Sequence, residues 1–117
     1  MQAPRRRQER LADQIRSELA RLMTGDLKDP RIGFATVTRV ELSADLGHAR
    51  AFVSVLGDAE ADERTMAGLA SAAGFLRREI THRLGLRRAP ELAFELDHGP
   101  EEAARIELLI AELKRQK

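Results

Sequence analysis

The sequence predicts an α+β fold: one domain with a three-stranded sheet and helices packed on one face of it. Three observations lead to this prediction. Some segments carry apolar residues at helical spacing, others alternate apolar and polar residues, and glycine and proline separate them. A length of 117 residues, 43% of them hydrophobic and 33% charged, suits one folded domain. The aromatic residues are all Phe, so the core is expected to be aliphatic.

The first predicted element is an amphipathic helix from Arg5 to Met23, preceded by a flexible tail at residues 1–4. Its apolar positions recur at helical spacing, and they are Leu11, Ile15, Leu19, Leu22 and Met23. Basic residues on the opposite side, including Arg6 and Arg10, form a stripe along the helix. Gly25 ends it.

Two strands come next, joined by a short turn at Ser43–Gly47 that makes them an antiparallel hairpin. The first strand runs from Phe34 to Leu42 and the second from His48 to Leu56. Even positions of the first strand share one face, and they include Phe34, Val40 and Leu42. One face of the second strand carries Ala49, Ala51, Val53 and Val55.

A pair of helices is predicted after the hairpin. The first spans Glu63–Ala73, Gly74 interrupts it, and the second spans Phe75–Leu84 and stops at Gly85. Glycine in a helix interior costs about 1 kcal/mol relative to alanine, and it adopts a left-handed conformation that other residues resist. We therefore expect a kink between two helices, formed by Ala72 and Gly74. The sequence leaves open that Gly74 only caps the first helix.

The last strand covers Glu91–Asp97, and a final helix covers Glu101 to about Lys114. The apolar face of that helix consists of Ala103, Ile106, Leu109, Ile110 and Leu113. The element order is therefore α-β-β-α-(kink)-α-β-α within a domain at residues 5–114, before a short C-terminal end at 115–117. Each strand has one apolar and one mixed face, so one face of the sheet is expected to stay partly open.

Motifs for catalysis and metal binding are not found in the sequence. No cysteine is present, which excludes disulfides and thiolate chemistry. His48, His82 and His98 have no His or Cys partner at metal-ligand spacing. Neither a phosphate loop nor a dinucleotide fingerprint occurs. We therefore expect no enzyme, no catalytic residue, no metal and no cofactor.

Nothing in the sequence points to a membrane or to export. No apolar run approaches the roughly 20 residues that span a bilayer, and residues 1–10 lack the apolar stretch of a secretory signal. We therefore expect a cytoplasmic protein with no membrane partner.

The net charge is only +1, but the charges are distributed unevenly. Residues 1–31 carry eight basic and five acidic side chains, a local +3. Residues 74–90 carry five arginines and one glutamate, a local +4, whereas residues 95–112 carry six acids and one arginine, a local −5. This asymmetry favours one face for a polyanion. Ordinary solvated helix faces are the alternative that charge alone leaves open.

The candidate phosphate ligands are arginines, whose planar fork suits bidentate contact. Five of them follow the predicted kink: Arg77, Arg78, Arg83, Arg87 and Arg88. Backbone amides at the start of the second helix would complete an anion site, and Arg6, Arg10 and Arg31 are candidates to extend it. Each arginine taken singly has a solvated side chain as its alternative.

The element order is that of type II KH domains, which bind single-stranded nucleic acid. The usual Gly-x-x-Gly loop is absent. Four ordered motifs instead resemble the ribosome-binding factor A family over about Arg5 to Leu113. They are KDPRIGFATVT at 28–38, DLGHAR with VSVLG at 45–57, AAGFLR at 72–77 and PELAF at 90–94. The resemblance implies a KH fold in which an Ala-x-Gly kink, matched by Ala72 and Gly74, replaces the loop.

The resemblance also implies a function and partners. It implies that the protein binds the free 30S ribosomal subunit and its 16S rRNA and assists late maturation, including 5′-end processing. It also implies an association with growth in the cold. It further implies release promoted by an assembly GTPase. We expect a monomer that acts by binding alone. The alternative is a protein–protein module that docks a ribosomal protein or a second copy of itself, without RNA contact.

Overall fold

Along the residues that the computed structural model describes, 3–25, 27 and 29–116, the chain forms three helices and three strands. Their bounds are α1 (Ala3–Thr24), β1 (Ala35–Leu42), β2 (His48–Val55), α2 (Ala59–Leu84), β3 (Glu91–Leu96) and α3 (Gly99–Arg115). The prediction of an α+β fold with a three-stranded sheet is confirmed. The expected tail at 1–4 includes residues 1 and 2, and the expected end at 115–117 includes residue 117; these three lie outside the described residues.

The sheet has the order β1-β2-β3, with β1 and β2 antiparallel and β2 and β3 parallel. Apolar residues match across all three strands on one face. Leu42, Ala49 and Leu92 lie side by side, as do Val40, Ala51 and Phe94, and then Val37, Val53 and Leu96. Parallel pairing requires a crossover that returns along the whole strand, and α2 provides it.

A β-bulge at Thr38 changes which residues of β1 face the core. Val37 pairs with Val53 and Arg39 pairs with Phe52, so Thr38 is the extra residue. Odd positions face inward before the bulge and even positions after it. The prediction that Phe34 shares a face with Val40 is therefore wrong, and Phe34 is 81% exposed.

The core lies between this sheet face and two helices. α1 contributes Ile15, Leu19 and Leu22, all fully buried, and these are three of the predicted apolar positions. α2 contributes Leu69, Ala72, Leu76 and Ile80. The core is aliphatic, as expected, because Phe75 and Phe94 only pack against it from its edge.

The crossover is one continuous helix, Ala59–Leu84, so the prediction that Gly74 separates two helices is wrong. The buried residues of α2 are spaced so that they form one stripe: Thr65, Gly68, Leu69, Ala72, Leu76 and Ile80. Burying one large aliphatic side chain contributes about 1.5–3 kcal/mol. The free energy gained by burying this stripe therefore outweighs the roughly 1 kcal/mol that a glycine costs in a helix interior. Gly74 itself is exposed.

The ends of α2 follow from local capping. The Asp58 side chain accepts a hydrogen bond from the Ala61 amide at 2.9 Å, so the helix begins four residues before the predicted Glu63. Gly85 ends it as predicted, with a φ of 64° and its amide on the His82 carbonyl.

The expectation that all helices cover one sheet face is correct for α1 and α2 but wrong for α3. Every residue of α3 is exposed. Three strands about 4.8 Å apart are already covered by two helices about 10 Å wide. The apolar side of α3 therefore finds no place on the core.

Asp97, which follows β3, links β1, β2 and the start of α3. Its Oδ2 accepts a hydrogen bond from the Thr38 hydroxyl at 2.6 Å, and its Oδ1 accepts one from the Gly99 amide at 2.9 Å. Its own amide donates to the Val53 carbonyl at 2.8 Å. The hydrogen bond from Thr38, followed by that from Gly99, lowers the pKa of Asp97.

The two glycines of α2 give a matched prediction. A Cβ at Gly74 would meet nothing closer than Arg78 Nη1 at 3.7 Å, so Gly74→Ala should raise the free energy of unfolding by up to about 1 kcal/mol. A Cβ at Gly68 would lie 2.7 Å from Ile32 Cγ1, so Gly68→Ala should lower it by about 1–3 kcal/mol. Urea unfolding measures both. Destabilisation by Gly74→Ala would mean that position 74 needs a non-helical backbone after all.

We also expect Asp97→Asn to make stability less sensitive to acid. A carboxylate with a lowered folded-state pKa stabilises the fold above its unfolded pKa, about 3.9, and loses that contribution as pH falls through the lower folded value. The Tm of the wild type should therefore fall more steeply than that of the variant as the pH drops below about 4. Asp13→Asn, at an exposed residue, is the control. Parallel Tm curves for wild type and Asp97→Asn would contradict the assignment.

Candidate nucleic-acid interface

The five arginines that follow Gly74 do not form one cluster, because two of them contact other parts of the fold and three do not. Arg77 donates from Nε and Nη2 to the Ala89 carbonyl, at 3.1 and 2.9 Å. Ala89 is only 4% exposed, so few other donors can reach that oxygen. Arg77 therefore holds the connection between α2 and β3 against the helix, which the sequence did not indicate.

Arg83 connects α2 to α1. Its guanidinium lies 3.6 Å from Glu18 Oε1 on α1 and 3.5 Å from Glu79 Oε1 on its own helix. Two carboxylates therefore balance its charge, and 30% of its side chain is exposed. Five residues of helix turn Arg83 about 140° away from Arg78, so the two point to different sides of α2.

Arg78, Arg87 and Arg88 are the α2-end arginines. All three are exposed, and within the described part of the chain none has a hydrogen bond or ion pair. Arg78 borders a cleft of about 490 Å³ with Thr81 and Leu86. Arg88 borders a second cleft, of about 430 Å³, with His48. These three charges are available to an external anion.

The electrostatic setting of the α2-end arginines differs from the prediction. Amides at the start of a second helix were expected to complete an anion site, but no helix starts at Phe75 because α2 is continuous. The arginines lie instead at the C-terminal end of α2, where the helix dipole favours positive charge. Anion binding here depends on guanidinium groups alone.

Arg6 and Arg10 are exposed on the outer side of α1. Gln8 between them donates to the Ser43 carbonyl at 3.2 Å, which ties this turn of α1 to the β1–β2 hairpin. Two residues along a helix is a rotation of about 200°, so Arg6 and Arg10 point away from that contact. In the part of the chain that the structure describes, no hydrogen bond or ion pair involves Arg6, Arg10 or the α2-end arginines.

Arg31 is separate from the other candidates. Its Nε and Nη2 donate to Asp29 at 3.0 and 2.6 Å, and the Arg31 hydrogen bonds lower the pKa of Asp29 to about 2. Its Cβ lies beside Gly68, which precedes Arg78 by ten residues, or about 15 Å of helix. The structure does not bring Arg31 into the same surface.

The open sheet face carries charge that is already balanced. Phe52 lies under the Arg39 guanidinium at 4.0 Å and near that of Arg50 at 5.2 Å. Arg50 pairs with Glu95 at 2.5 Å and with Glu41 at 3.5 Å. This face is therefore open, as predicted, but it is not a basic surface.

Sequence reasoning missed an exposed apolar and basic corner at the other end of the sheet. Phe34 is 81% exposed and Leu56 is 78% exposed, and the Leu56 amide donates to the Phe34 carbonyl at 2.9 Å. Exposed Arg64 borders a cleft beside them. The unequal spacing of Val37 and Val40 was the available signal, because it indicates a bulge that turns Phe34 outward.

Within the described residues, no group of three or more His, Cys, Asp or Glu side chains is arranged to hold a metal ion. The described helices are also too short or too polar for any of them to cross a membrane.

The structure is that of a small α+β domain with a mixed sheet, and its exposed arginines at the end of α2 are typical of a protein that binds a polyanion. Residues 7–110 match the family model described as ribosome-binding factor A, and this chain belongs to that family. The family predicted from the sequence motifs is confirmed. Ribosome-binding factor A of Thermomicrobium roseum is 44% identical over 114 residues, which covers 97% of this chain and 88% of the relative. That of Desulfitobacterium hafniense is 46% identical over 110 residues, with 94% and 88% covered.

Solved structures of the family have the same fold. A crystal structure from Thermus thermophilus has a TM-score of 0.69 at 28% identity and covers 76% of this chain and 93% of its own. A solution structure of a Thermotoga maritima protein described as a putative ribosome binding factor A has a TM-score of 0.70 at 39% identity, with 80% and 89% covered. A Thermus thermophilus homology model fitted into a cryo-EM map of a 30S complex has a TM-score of 0.65 at 28% identity, with 77% and 94% covered.

Arg77 and Arg78 are adjacent, but truncation should lower stability only at Arg77. Arg77→Ala leaves the buried Ala89 carbonyl without its donors, so it should lower the free energy of unfolding by about 1–3 kcal/mol. Arg78→Ala removes an exposed side chain and should change it by no more than about 0.5 kcal/mol. Urea unfolding of the two variants tests this difference. Equal free energies of unfolding for the two variants would contradict a structural role for Arg77.

Proposed function

We propose that this chain binds the free 30S ribosomal subunit through 16S rRNA and assists the late maturation of the subunit, including processing at the 5′ end of the rRNA. Membership of the ribosome-binding factor A family supports this, as does the relative fitted into the map of a 30S complex. The observation that carries the RNA contact is the set of α2-end arginines, which are exposed and unpaired among the described residues.

The mechanism needs only binding energy. Guanidinium groups neutralise phosphates and release counterions, so affinity depends on salt. Binding one arrangement of the rRNA more tightly than others shifts the population toward that arrangement. Arg77 and Arg83 position rather than bind in this mechanism, because their donors already serve Ala89, Glu18 and Glu79.

The Ala-x-Gly motif has a revised role in this proposal. Ala72 packs in the core, whereas Gly74 leaves the exposed side of α2 without a side chain one turn before Arg78. A ribose-phosphate chain can approach a helix surface closely at such a position. Close approach would bring the backbone phosphates within reach of the neighbouring guanidinium.

Finer parts of the proposal come from the family resemblance alone. They are a type II KH mode of RNA binding, action in the cytoplasm as a monomer, release promoted by an assembly GTPase, and importance for growth in the cold. They are consistent with a chain whose only suggested activity is binding.

The α2-end arginines can be tested as a group. Replacing Arg78, Arg87 and Arg88 with Ala should weaken binding to 16S rRNA fragments, and the slope of log affinity against log salt should flatten by about 0.7–0.9 for each lost phosphate contact. Filter binding at rising salt measures both quantities. The charge-matched control replaces Arg64, Arg105 and Arg115, which lie elsewhere on the surface. Equal losses of affinity in both variants would mean that RNA binding depends on net charge and not on the α2-end arginines.

Sedimentation of the tagged protein with ribosomal particles tests the partner. The wild type should comigrate with free 30S subunits and not with 70S ribosomes, and the α2-end variant should be lost from the 30S fraction. Capture of 30S proteins that survives ribonuclease, together with full binding by the α2-end variant, would favour a protein–protein module instead.

A further inference from the structure

A polar cleft lies next to Arg88, between the turn that joins β1 to β2 and the segment that leads into β3. Residues 45–48 form one wall of this hairpin cleft, and residues 88–91 form the other. Its volume is about 430 Å³, and sites for small ligands usually measure about 300–1,000 Å³. The hairpin cleft is therefore large enough to hold part of a ligand that also contacts the α2-end arginines.

Hydrogen bonds hold both walls of the hairpin cleft in place. The Glu91 amide donates to the Gly47 carbonyl at 2.9 Å, which joins the two walls directly. Asp45 Oδ1 accepts a hydrogen bond from the Gly47 amide at 2.9 Å, so the turn is closed on itself. The opposite wall is fixed by Arg77, which donates to the Ala89 carbonyl. Walls that are fixed before binding lose little conformational freedom when a ligand arrives.

The hairpin cleft presents a cation and a carboxylate that are both available to a ligand. Arg88 is exposed and has no hydrogen bond or ion pair among the described residues. The Glu91 side chain is 65% exposed, and its Oε2 lies 3.7 Å from His48 Nδ1, which is too long for a hydrogen bond. Across the described chain, nothing donates a hydrogen bond to the Glu91 carboxylate. Glu91 can therefore accept hydrogen bonds from a ligand to which Arg88 donates.

A ligand that suits this pair of side chains needs an anionic group and a hydrogen-bond donor close to each other. A phosphate alone is attracted by Arg88 but repelled by Glu91. An RNA nucleotide carries both groups, because its phosphate is linked to a ribose whose 2′-hydroxyl can donate. Arg88 and Glu91 are three residues apart, at most about 11 Å of chain, so neighbouring groups of one strand can reach both. The same strand of DNA lacks the hydroxyl and leaves the repulsion uncompensated.

We propose that the hairpin cleft makes this protein prefer RNA to DNA: Arg88 contacts a phosphate, and Glu91 accepts a hydrogen bond from a ribose 2′-hydroxyl beside it. The preference rests on the proposed function, since it requires an RNA strand at the α2-end arginines. Those arginines cannot supply it, because a guanidinium–phosphate contact is the same in both nucleic acids. Glu91 is then the residue that determines specificity, although it has the same sign of charge as the strand that it recognises.

Paired oligonucleotides measure this preference. The probes are single-stranded segments of 16S rRNA and 2′-deoxy versions with the same bases, and filter binding gives the ratio of their dissociation constants. Wild type should bind the ribose form about two- to tenfold more tightly, as expected for one net hydrogen bond. Glu91→Ala should bring the ratio close to one. Glu91→Gln keeps one acceptor oxygen and should give an intermediate ratio.

The ratio separates hydrogen bonding from net charge. Loss of a carboxylate strengthens binding to both probes alike, so this effect cancels. Glu107→Ala makes the same charge change on exposed α3 and should keep the wild-type ratio. Unchanged or stronger binding of the deoxy probe shows that Glu91→Ala is folded. A wild type with no preference for the ribose form, or a Glu91→Ala variant with the wild-type ratio, overturns the proposal.

Failure of this preference can be distinguished from failure of the proposed function. If Arg78, Arg87 and Arg88 are needed for binding to 16S rRNA fragments but ribose and deoxyribose probes bind equally, only the role of Glu91 is wrong. If the α2-end variant binds the fragments as tightly as wild type, the RNA surface itself is wrong, and with it the role of the hairpin cleft.

Discussion

The parallel pairing of β2 with β3 dictates the path of the chain after β2. The chain must return along the whole length of β2 before β3 can begin, and α2 makes that return over the core face. A break at Gly74 would divide the stripe formed by Leu69, Leu76 and Ile80. Continuity of the helix is therefore set by what lies beneath it and not by the glycine on its exposed side.

The same constraint explains how the arginines are divided. The end of α2 is held in place by two arginines. Arg77 donates hydrogen bonds to the Ala89 carbonyl, and Arg83 forms an ion pair with Glu18 of α1. Arginines that have no such task remain exposed. The surface available to an anion is thus what remains after the fold has been stabilised, and it is smaller than the local charge of residues 74–90 indicates.

Periodicity was enough to predict most of the fold. The apolar spacing predicted the burial of Ile15 and Leu19 in α1 and of Ala51 and Val53 in β2. These predictions are correct because the spacing of apolar residues is a signal local to one element. The errors came from non-local effects. The bulge at Thr38 is stabilised by an aspartate 59 residues away, and the continuity of α2 depends on its contacts with other elements.

The candidate site was harder to predict than the fold, because an arginine's role depends on its acceptors. Arg31 and Arg88 have the same side-chain chemistry. The Arg31 guanidinium donates hydrogen bonds to Asp29, whereas Arg88 has no hydrogen-bond or ion-pair partner among the described residues. No count of charges along the sequence separates these two cases. What the motifs did supply was the family, because motif order and spacing depend on the whole chain.

The side chains that the core leaves exposed include cations and large aliphatic residues. The α2-end arginines are cations without carboxylate partners among the described residues, so their strongest available interaction is with an external polyanion. α3 presents exposed aliphatic residues, for which burial against other apolar surface is the strongest interaction. Rising salt weakens the first interaction through counterion competition and leaves hydrophobic burial in place. A titration of salt therefore distinguishes binding through the α2-end arginines from any contact that the apolar side of α3 makes.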